Sequence, residues 1–191
     1  MQNRCNWCLG DPIYLEYHDK EWGRPLYDDQ KLFEFLVLES MQAGLSWLTI
    51  LKKRANFRKA FDNFNISKVA SYDEAKVEAL LQDSSIIRNK LKLKAAINNA
   101  RQVLIIQQEY GSFSAYLWSF VDNQPIINSF HDLKVVPANT ELSDFISKKM
   151  KKQGFKFIGT TIIYSFMQAV GMVNDHVTTC FRHSELSPSK K

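Results

Sequence analysis

Glu39-Ser40-Met41-Gln42-Ala43-Gly44-Leu45-Ser46-Trp47 is the stretch whose reading decides the fold. Ahead of it, residues 31–38 (KLFEFLVL) are apolar almost throughout and read as a buried helix, with Asp28 or Asp29 as its N-cap. Ala43-Gly44-Leu45 breaks that helix, Gly44 being the natural residue past a C-terminus. Ser46 then caps a second helix that begins at Trp47. Glu39 therefore stands about one turn before a helix end, among large apolar residues. A carboxylate there needs a donor or a cation, or it stays protonated. The same residues also read as an amphipathic helix with Glu39 on its solvated face.

A chain of 191 residues can bury a real core, and a single unit of two packed lobes is expected. The net charge of +5 favours a polyanionic partner. Aromatic residues are plentiful beside the basic ones (13 Phe, 7 Tyr and 4 Trp), a mixture that suits stacking on nucleobases as well as core packing. No apolar run is long enough to span a bilayer, and the N-terminal MQNRCNWCLG has no signal-peptide core, so no membrane is expected as a partner. Cys5, Cys8 and Cys180 are too few, and of the wrong parity, for a disulfide framework. The reduced thiols of a cytoplasmic protein fit better, and nothing points beyond a monomer.

Taken in order, residues 1–25 read as irregular, with Pro12 and Pro25 as breakers, although on a helix Tyr14 and His18 are one turn apart. The helix from Trp47 reaches about Phe61. Ser67 and Asp73 are the expected caps of short helices at roughly 68–71 and 74–82. A long helix follows from about Lys90 to Gln108, with Leu93, Ile97, Ala100 and Leu104 in helical register. Lys90, Lys92 and Lys94 crowd its N-terminal end, where cations oppose the helix dipole. Ser112 starts a short helix through Phe120, and residues 122–139 form the best loop candidate. Helices from about Leu142 to Gln153 and from Thr160 or Thr161 to Gly171 precede a last turn from Asn174 to Cys180. The tail from Ser184 reads as disordered. No period-2 alternation competes, so the expected class is all-α.

His176 and Cys180 are spaced i, i+4, as on one helix face, and Cys5 with His18 would complete a tetrahedral Cys₂His₂ site. Such a closed site is structural and would pin the two chain ends together. Read without a metal, His176 and Cys180 are simply residues of a capped last turn, and Cys8 competes with Cys5. The basic clusters at 52–59, 88–94 and 148–156 are phosphate contacts or solvated helix faces, the 88–94 cluster being placed to meet an anion at a helix N-terminus. There is no Walker loop, GxGxxG, HExxH or GxSxG, so those chemistries have no support.

Three blocks of sequence carry a family resemblance. They are Asp11-Pro12-x-Tyr14-x-x-Tyr17-His18-Asp19-x-x-Trp22-Gly23, the Gln42–Trp47 run, and Gly154-Phe-Lys-Phe-Ile-Gly-Thr-Thr161 continued through residues 164–168 to Asn174-Asp175-His176. With them the chain resembles the bacterial DNA-3-methyladenine glycosylase I family from about Cys5 to Cys180. The resemblance implies a helix-hairpin-helix glycosylase fold with a zinc-stapled lobe formed by both termini, about 1–30 with 110–183. The helix-hairpin-helix lobe would span about 31–109, its hairpin near Leu80–Lys94, and 184–191 would be the disordered tail. One structural Zn²⁺ would sit on Cys5, His18, His176 and Cys180, with Cys8 a free thiol.

Glu39 corresponds to the carboxylate that recognises the extruded base, and is the catalytic candidate. Tyr17 and Trp47 would sandwich the base, with Tyr14, and Trp7 or Trp22, as further pocket residues. Gly44, Leu45, Arg88 and Lys90 are the expected DNA contacts, Leu45 as a wedge. The chain departs from the family at Ser84-Ser85, which lacks the glycine usual before Ile86-Ile87-Arg88. The implied activity is hydrolysis of the N-glycosidic bond of 3-methyladenine in double-stranded alkylated DNA, by base flipping. Free 3-methyladenine and an abasic site are the products of such a monofunctional enzyme. The alternatives are a non-catalytic, zinc-stapled helical DNA-binding module and a catalytic zinc hydrolase. A carboxylate in an aromatic setting speaks against the first, and a closed ligand set against the second.

Overall fold

In the computed structural model, which describes residues 2–187, short polar side chains open most of the helices. Asp11 accepts from Ile13 N and opens α1 (Pro12–Lys20), with Pro12 at a first-turn position where its missing N–H costs nothing. The segment expected to be irregular thus carries a helix, and Pro12 starts it. Asp28 caps α2 (Asp29–Gln42) and Ser46 caps α3 (Trp47–Ala60), as the Glu39–Trp47 stretch predicts. α4 (Ile66–Ala70) is capped by Asn65 and not by the expected Ser67, because the asparagine side chain reaches Lys68 N. Asp73 opens α5 (Glu74–Gln82), and Asn89 opens α6 (Lys90–Tyr110). Ser112 caps α7 (Phe113–Trp118), which continues as a 3₁₀ turn to Val121. Thr140 caps α8 (Glu141–Lys152), and a short hairpin leads to α9 (Thr160–Ala169).

The expected all-α architecture holds, with one small addition. Within the expected 122–139 loop, β1 (Ile126–Ile127) pairs in parallel with β2 (Val173–Asn174), Ile126 opposite Val173. A second correction concerns the C-terminus. Residues 176–179 are not helical, and Cys180 is the N-cap of α10 (Phe181–Glu185). His176 and Cys180 therefore share no helix face. Ser184 and Glu185, assigned to a disordered tail, lie in α10, while residues 188–191 of that tail are outside the described residues.

The core is organised around α2. Every residue from Leu32 to Met41 is buried, with α3, α6, α7 and α9 packed around the helix. Asp29 at its start accepts from Phe113 N and Ser114 N, which fixes α7 against it. A helix buried on all sides must account for each polar group it carries. Glu34 is met by Arg54 at 2.5 Å and Arg58 at 2.9 Å, and Arg54 also reaches Glu21. Ser40 Oγ lies 2.9 Å from both Leu36 O and Phe157 O, which ties α2 to the α8–α9 hairpin. The third buried polar residue, Glu39, has no such partner among the described residues.

Candidate active site and metal-ligand cluster

A cavity of about 440 Å³ opens beside Glu39, and its walls come from elements far apart in the chain. α2 supplies Glu39 and Gln42, α3 supplies Trp47, and α1 supplies Tyr14 and Tyr17, with Trp7 and Trp22 from the segments flanking α1. The sequence reading missed the opposite wall, where α9 contributes Thr161, Tyr164, Ser165 and Gln168 and the 133–138 segment closes the rim. Tyr164 and Gln168 stand at i, i+4, which is a legible spacing, but in so apolar a helix both pass for core residues. Both are held by Asp175, a carboxylate that is 1% exposed. It accepts from Tyr164 Oη at 2.6 Å, Gln168 Nε2 at 2.8 Å and Asn128 Nδ2 at 2.6 Å.

Glu39 is 4% exposed and lines the cavity. Burial pushes its carboxyl up to about 8, since no donor or cation opposes the loss of water. Among the described residues it is the only carboxylate in the cavity wall, and no lysine lines that wall. Tyr17 is buried, and its phenol is pushed up chiefly by burial and then by the Glu39 charge.

The geometry corrects the expected aromatic sandwich. The Tyr17 and Trp47 ring centroids are 5.6 Å apart and tilted by 57°. A base stacked between two rings needs them about 7 Å apart, twice the optimal contact distance. These rings touch each other and form adjoining walls instead. Trp47 Nε1–H is buried with no acceptor among the described residues. Tyr14 adds its ring to the wall, while its hydroxyl accepts from Leu48 N at 3.0 Å and anchors the first turn of α3.

Behind the aromatic wall lie Cys5, His18, His176 and Cys180, all buried, with one ligand atom of each within 4.8 Å of the others. Cys180 Sγ is 3.4 Å from His18 Nε2 and 3.5 Å from His176 Nδ1, and Cys5 Sγ is 3.6 Å from His176 Nδ1. Each imidazole is oriented by its other nitrogen. His18 Nδ1 meets Asp19 Oδ1 at 2.8 Å, itself clamped by Arg4, and His176 Nε2 meets Trp22 O at 3.0 Å. An imidazole that donates outward to a carboxylate or carbonyl presents its free nitrogen inward, which is how metal-binding histidines are held. A hydrogen bond from Cys5, aided by both imidazoles, holds the Cys180 thiol far below its ordinary range, while Cys5 is pushed up. The donor set of two sulfurs and two ring nitrogens can hold a metal ion. Cys8 stays outside it as a free thiol and donates to Cys5 O.

The expected DNA contacts are dispersed. Leu45 is 40% exposed on the turn after α2, where Gly44 has φ +83°. Arg88 is exposed. Lys90 is paired with Glu78 at 2.5 Å and Glu74 at 3.2 Å, and Lys94 with Glu74 at 2.8 Å. These pairs account for two of the lysines that local helix stability left unexplained. The Ser84-Ser85 turn has no residue at positive φ, and Lys53 Nζ donates to both serine carbonyls, so the missing glycine leaves no strain. A second hairpin, between α8 and α9, exposes Lys151, Lys152, Lys156 and Phe157. Its α9 end is capped by Gly159, with no side chain occupying the first-turn N–H groups.

The family described as methyladenine glycosylase matches residues 7–183 of the chain. DNA-3-methyladenine glycosylase 1 of Escherichia coli K12 is 52% identical over 177 residues, covering 93% of this chain and 95% of that protein. DNA-3-methyladenine glycosylase of Haemophilus influenzae is 47% identical over 180 residues, covering 94% and 97%. The Staphylococcus aureus 3-methyladenine DNA glycosylase I, solved to explain 3-methyladenine recognition, superposes with a TM-score of 0.92 at 38% identity, covering 100% of this chain and 99% of that one.

The buried carboxyl has a consequence for stability. Because Glu39 holds its proton up to about pH 8 when folded, the folded state binds more protons than the unfolded state between about pH 4.5 and 8. Its contribution is therefore fully retained below the ordinary glutamate range and lost as pH rises through that window. Glu39→Gln, which never ionises, is expected to unfold later than the wild type in denaturant at pH 9, by roughly 5 kcal/mol, and by little at pH 4. An equal stability difference at both pH values would show that Glu39 is not buried as described.

Proposed function

The chain belongs to the DNA-3-methyladenine glycosylase I family, hydrolases of N-glycosyl bonds, and we propose that it excises 3-methyladenine from alkylated double-stranded DNA as a cytoplasmic monomer. The observation that carries this reading is the unpartnered Glu39 carboxyl, buried in a cavity walled by aromatic rings.

In DNA, 3-methyladenine carries a delocalised positive charge, which weakens its bond to the sugar. Extruding it into the cavity costs about a few kcal/mol of stacking and pairing. The cation offers Glu39 the counter-charge that the protein withholds, and the exocyclic amine offers it a donor. Neutral adenine brings no such charge, so a carboxyl that burial keeps protonated discriminates against it. The faces of Tyr17 and Trp47 contribute roughly 1–3 kcal/mol of stacking. The unpaired Trp47 Nε1–H suits a ring nitrogen of the base. Leu45 is the wedge that fills the vacated stack, with Gly44 giving its turn room. Among the described residues no lysine lines the cavity, so none is placed as a nucleophile for a Schiff base. The reaction is then a monofunctional hydrolysis leaving an abasic site and free 3-methyladenine. No general base is assigned; binding and exclusion of water carry the rate of a leaving group already activated by methylation.

Phosphate contacts fall more naturally to the α8–α9 hairpin, with its open helix N-terminus and Lys156, and to Arg88, than to the ion-paired Lys90. The expected two-lobe division suits this arrangement, the cavity drawing on α2 and α3 from one lobe and on α1 and α9 from the other. The S₂N₂ cluster suits tetrahedral Zn²⁺, which would fill all four positions and supply structure only. It would tie the first residues to the last and brace the wall formed by Trp7, Trp22 and α1. The binding-module alternative leaves the buried carboxyl without a purpose.

Incubation with methylated duplex DNA, followed by chromatography of the released bases, is expected to yield 3-methyladenine while 7-methylguanine stays in the DNA. Glu39→Gln should release it at least ~100-fold more slowly. No released base from folded, metal-loaded protein that still binds DNA would favour the binding module. Cys180→Ala is expected to lower zinc content and melting temperature together; unchanged metal stoichiometry would remove Cys180 from the ligand set.

A further inference from the structure

Lys92 is buried, at 7% exposed, in the first turn of α6, where a cation opposes its own helix dipole. No carboxylate lies within ion-pair distance of it among the described residues, and burial draws its ammonium below the usual lysine range. Instead Nζ donates to Met41 O at 2.9 Å and to Ala43 O at 2.6 Å. Both belong to the C-terminal end of α2, where the carbonyls have no partner within the helix and a cation is favoured. The two carbonyls flank Gln42, a cavity residue, and Ala43 begins the turn in which Leu45 N returns to Gln42 O at 2.6 Å. Around Gly44 the space is open, with nothing within 4 Å of where a Cβ would stand. Lys92 thus secures from the inside a turn whose residues 43–46 are exposed.

We infer that Lys92 is a positioning residue for base excision, holding the Gly44–Leu45 turn at the cavity mouth through Met41 O and Ala43 O. The inference rests on the glycosylase reading and deepens it. A wedge that enters a base stack is pushed back by the stack, and a turn with one polar anchor transmits that load to the anchor. Lys92 is also no hidden nucleophile, since it is absent from the cavity wall and its Nζ is committed to two carbonyls.

The test compares excision from methylated duplex DNA with equilibrium binding of free 3-methyladenine, which needs no wedge. Lys92→Met keeps the aliphatic stem and removes the ammonium. It is expected to slow duplex excision by about tenfold or more, while free-base affinity stays within about twofold. In combination with Leu45→Ala it should add little beyond the more damaged single variant, because both act through one turn. Lys92→Gln retains one donor and, should the methionine variant not fold, is expected to show the same split at about threefold. Wild-type excision by the variants, or an equal loss of free-base affinity, overturns the inference alone. Failure of the wild type to release any base overturns the glycosylase reading and this inference with it.

Discussion

A carboxyl group carried into the interior on a helix buried on every side is the constraint from which the rest of the structure follows. α2 has no solvated face on which to place Glu39, and the helices around it offer the group neither a donor nor a cation. The neighbouring polar residues are treated differently: Glu34 receives two guanidinium groups and Ser40 two carbonyls. Leaving one carboxyl unmatched destabilises the fold above neutral pH, and such a cost is usually found where the missing partner is a ligand. Under the proposed function that partner is the cationic, amine-bearing base, which matches an unpaired carboxyl in charge and hydrogen bonding.

The surrounding architecture fixes the walls of the cavity beside Glu39. Tyr17 projects from the same α1 turn as His18, so the aromatic wall and the cysteine–histidine cluster are two sides of one helix. His176 bonds Trp22 O, which lets the cluster fix the backbone of a second wall residue. On the far side, Asp175 fixes Tyr164 and Gln168 one residue away from His176. The cluster thereby joins the chain ends and also braces walls on either side of the cavity, a more direct link to function than stability alone.

What the sequence revealed was mostly local. The bounds of α2 and α3 were legible because Asp28 and Ser46 sit immediately before apolar runs, and Gly44 breaks the chain between them. Pro12 was misread because a proline starts a helix as readily as it ends one, and only the capping Asp11 distinguishes the cases. The β1–β2 pair is too short to show alternation. His176 and Cys180 were nominated for a helical spacing that residues 176–180 do not adopt, with Cys5 and His18 to complete the set; the family resemblance identified all four, and folding brings them together by other means. The basic run at 88–94 looked like one surface. In the fold its lysines separate, Lys90 and Lys94 onto glutamates of α5 and Lys92 into the interior, because helical periodicity turns residue 92 toward α2. The α9 wall could not be read from an apolar helix whose few polar residues depend on Asp175, a contact closed through tertiary packing.

The most direct measurement is an NMR titration of the Glu39 side-chain carboxyl in the folded protein, alone and with 3-methyladenine bound. The account predicts a pKa near 8 in the free protein, as burial without a partner requires, and a marked fall once the base supplies its positive edge. A pKa in the ordinary glutamate range without ligand, or one that the bound base leaves unchanged, would contradict the claim that Glu39 is an unpartnered carboxyl kept for the base.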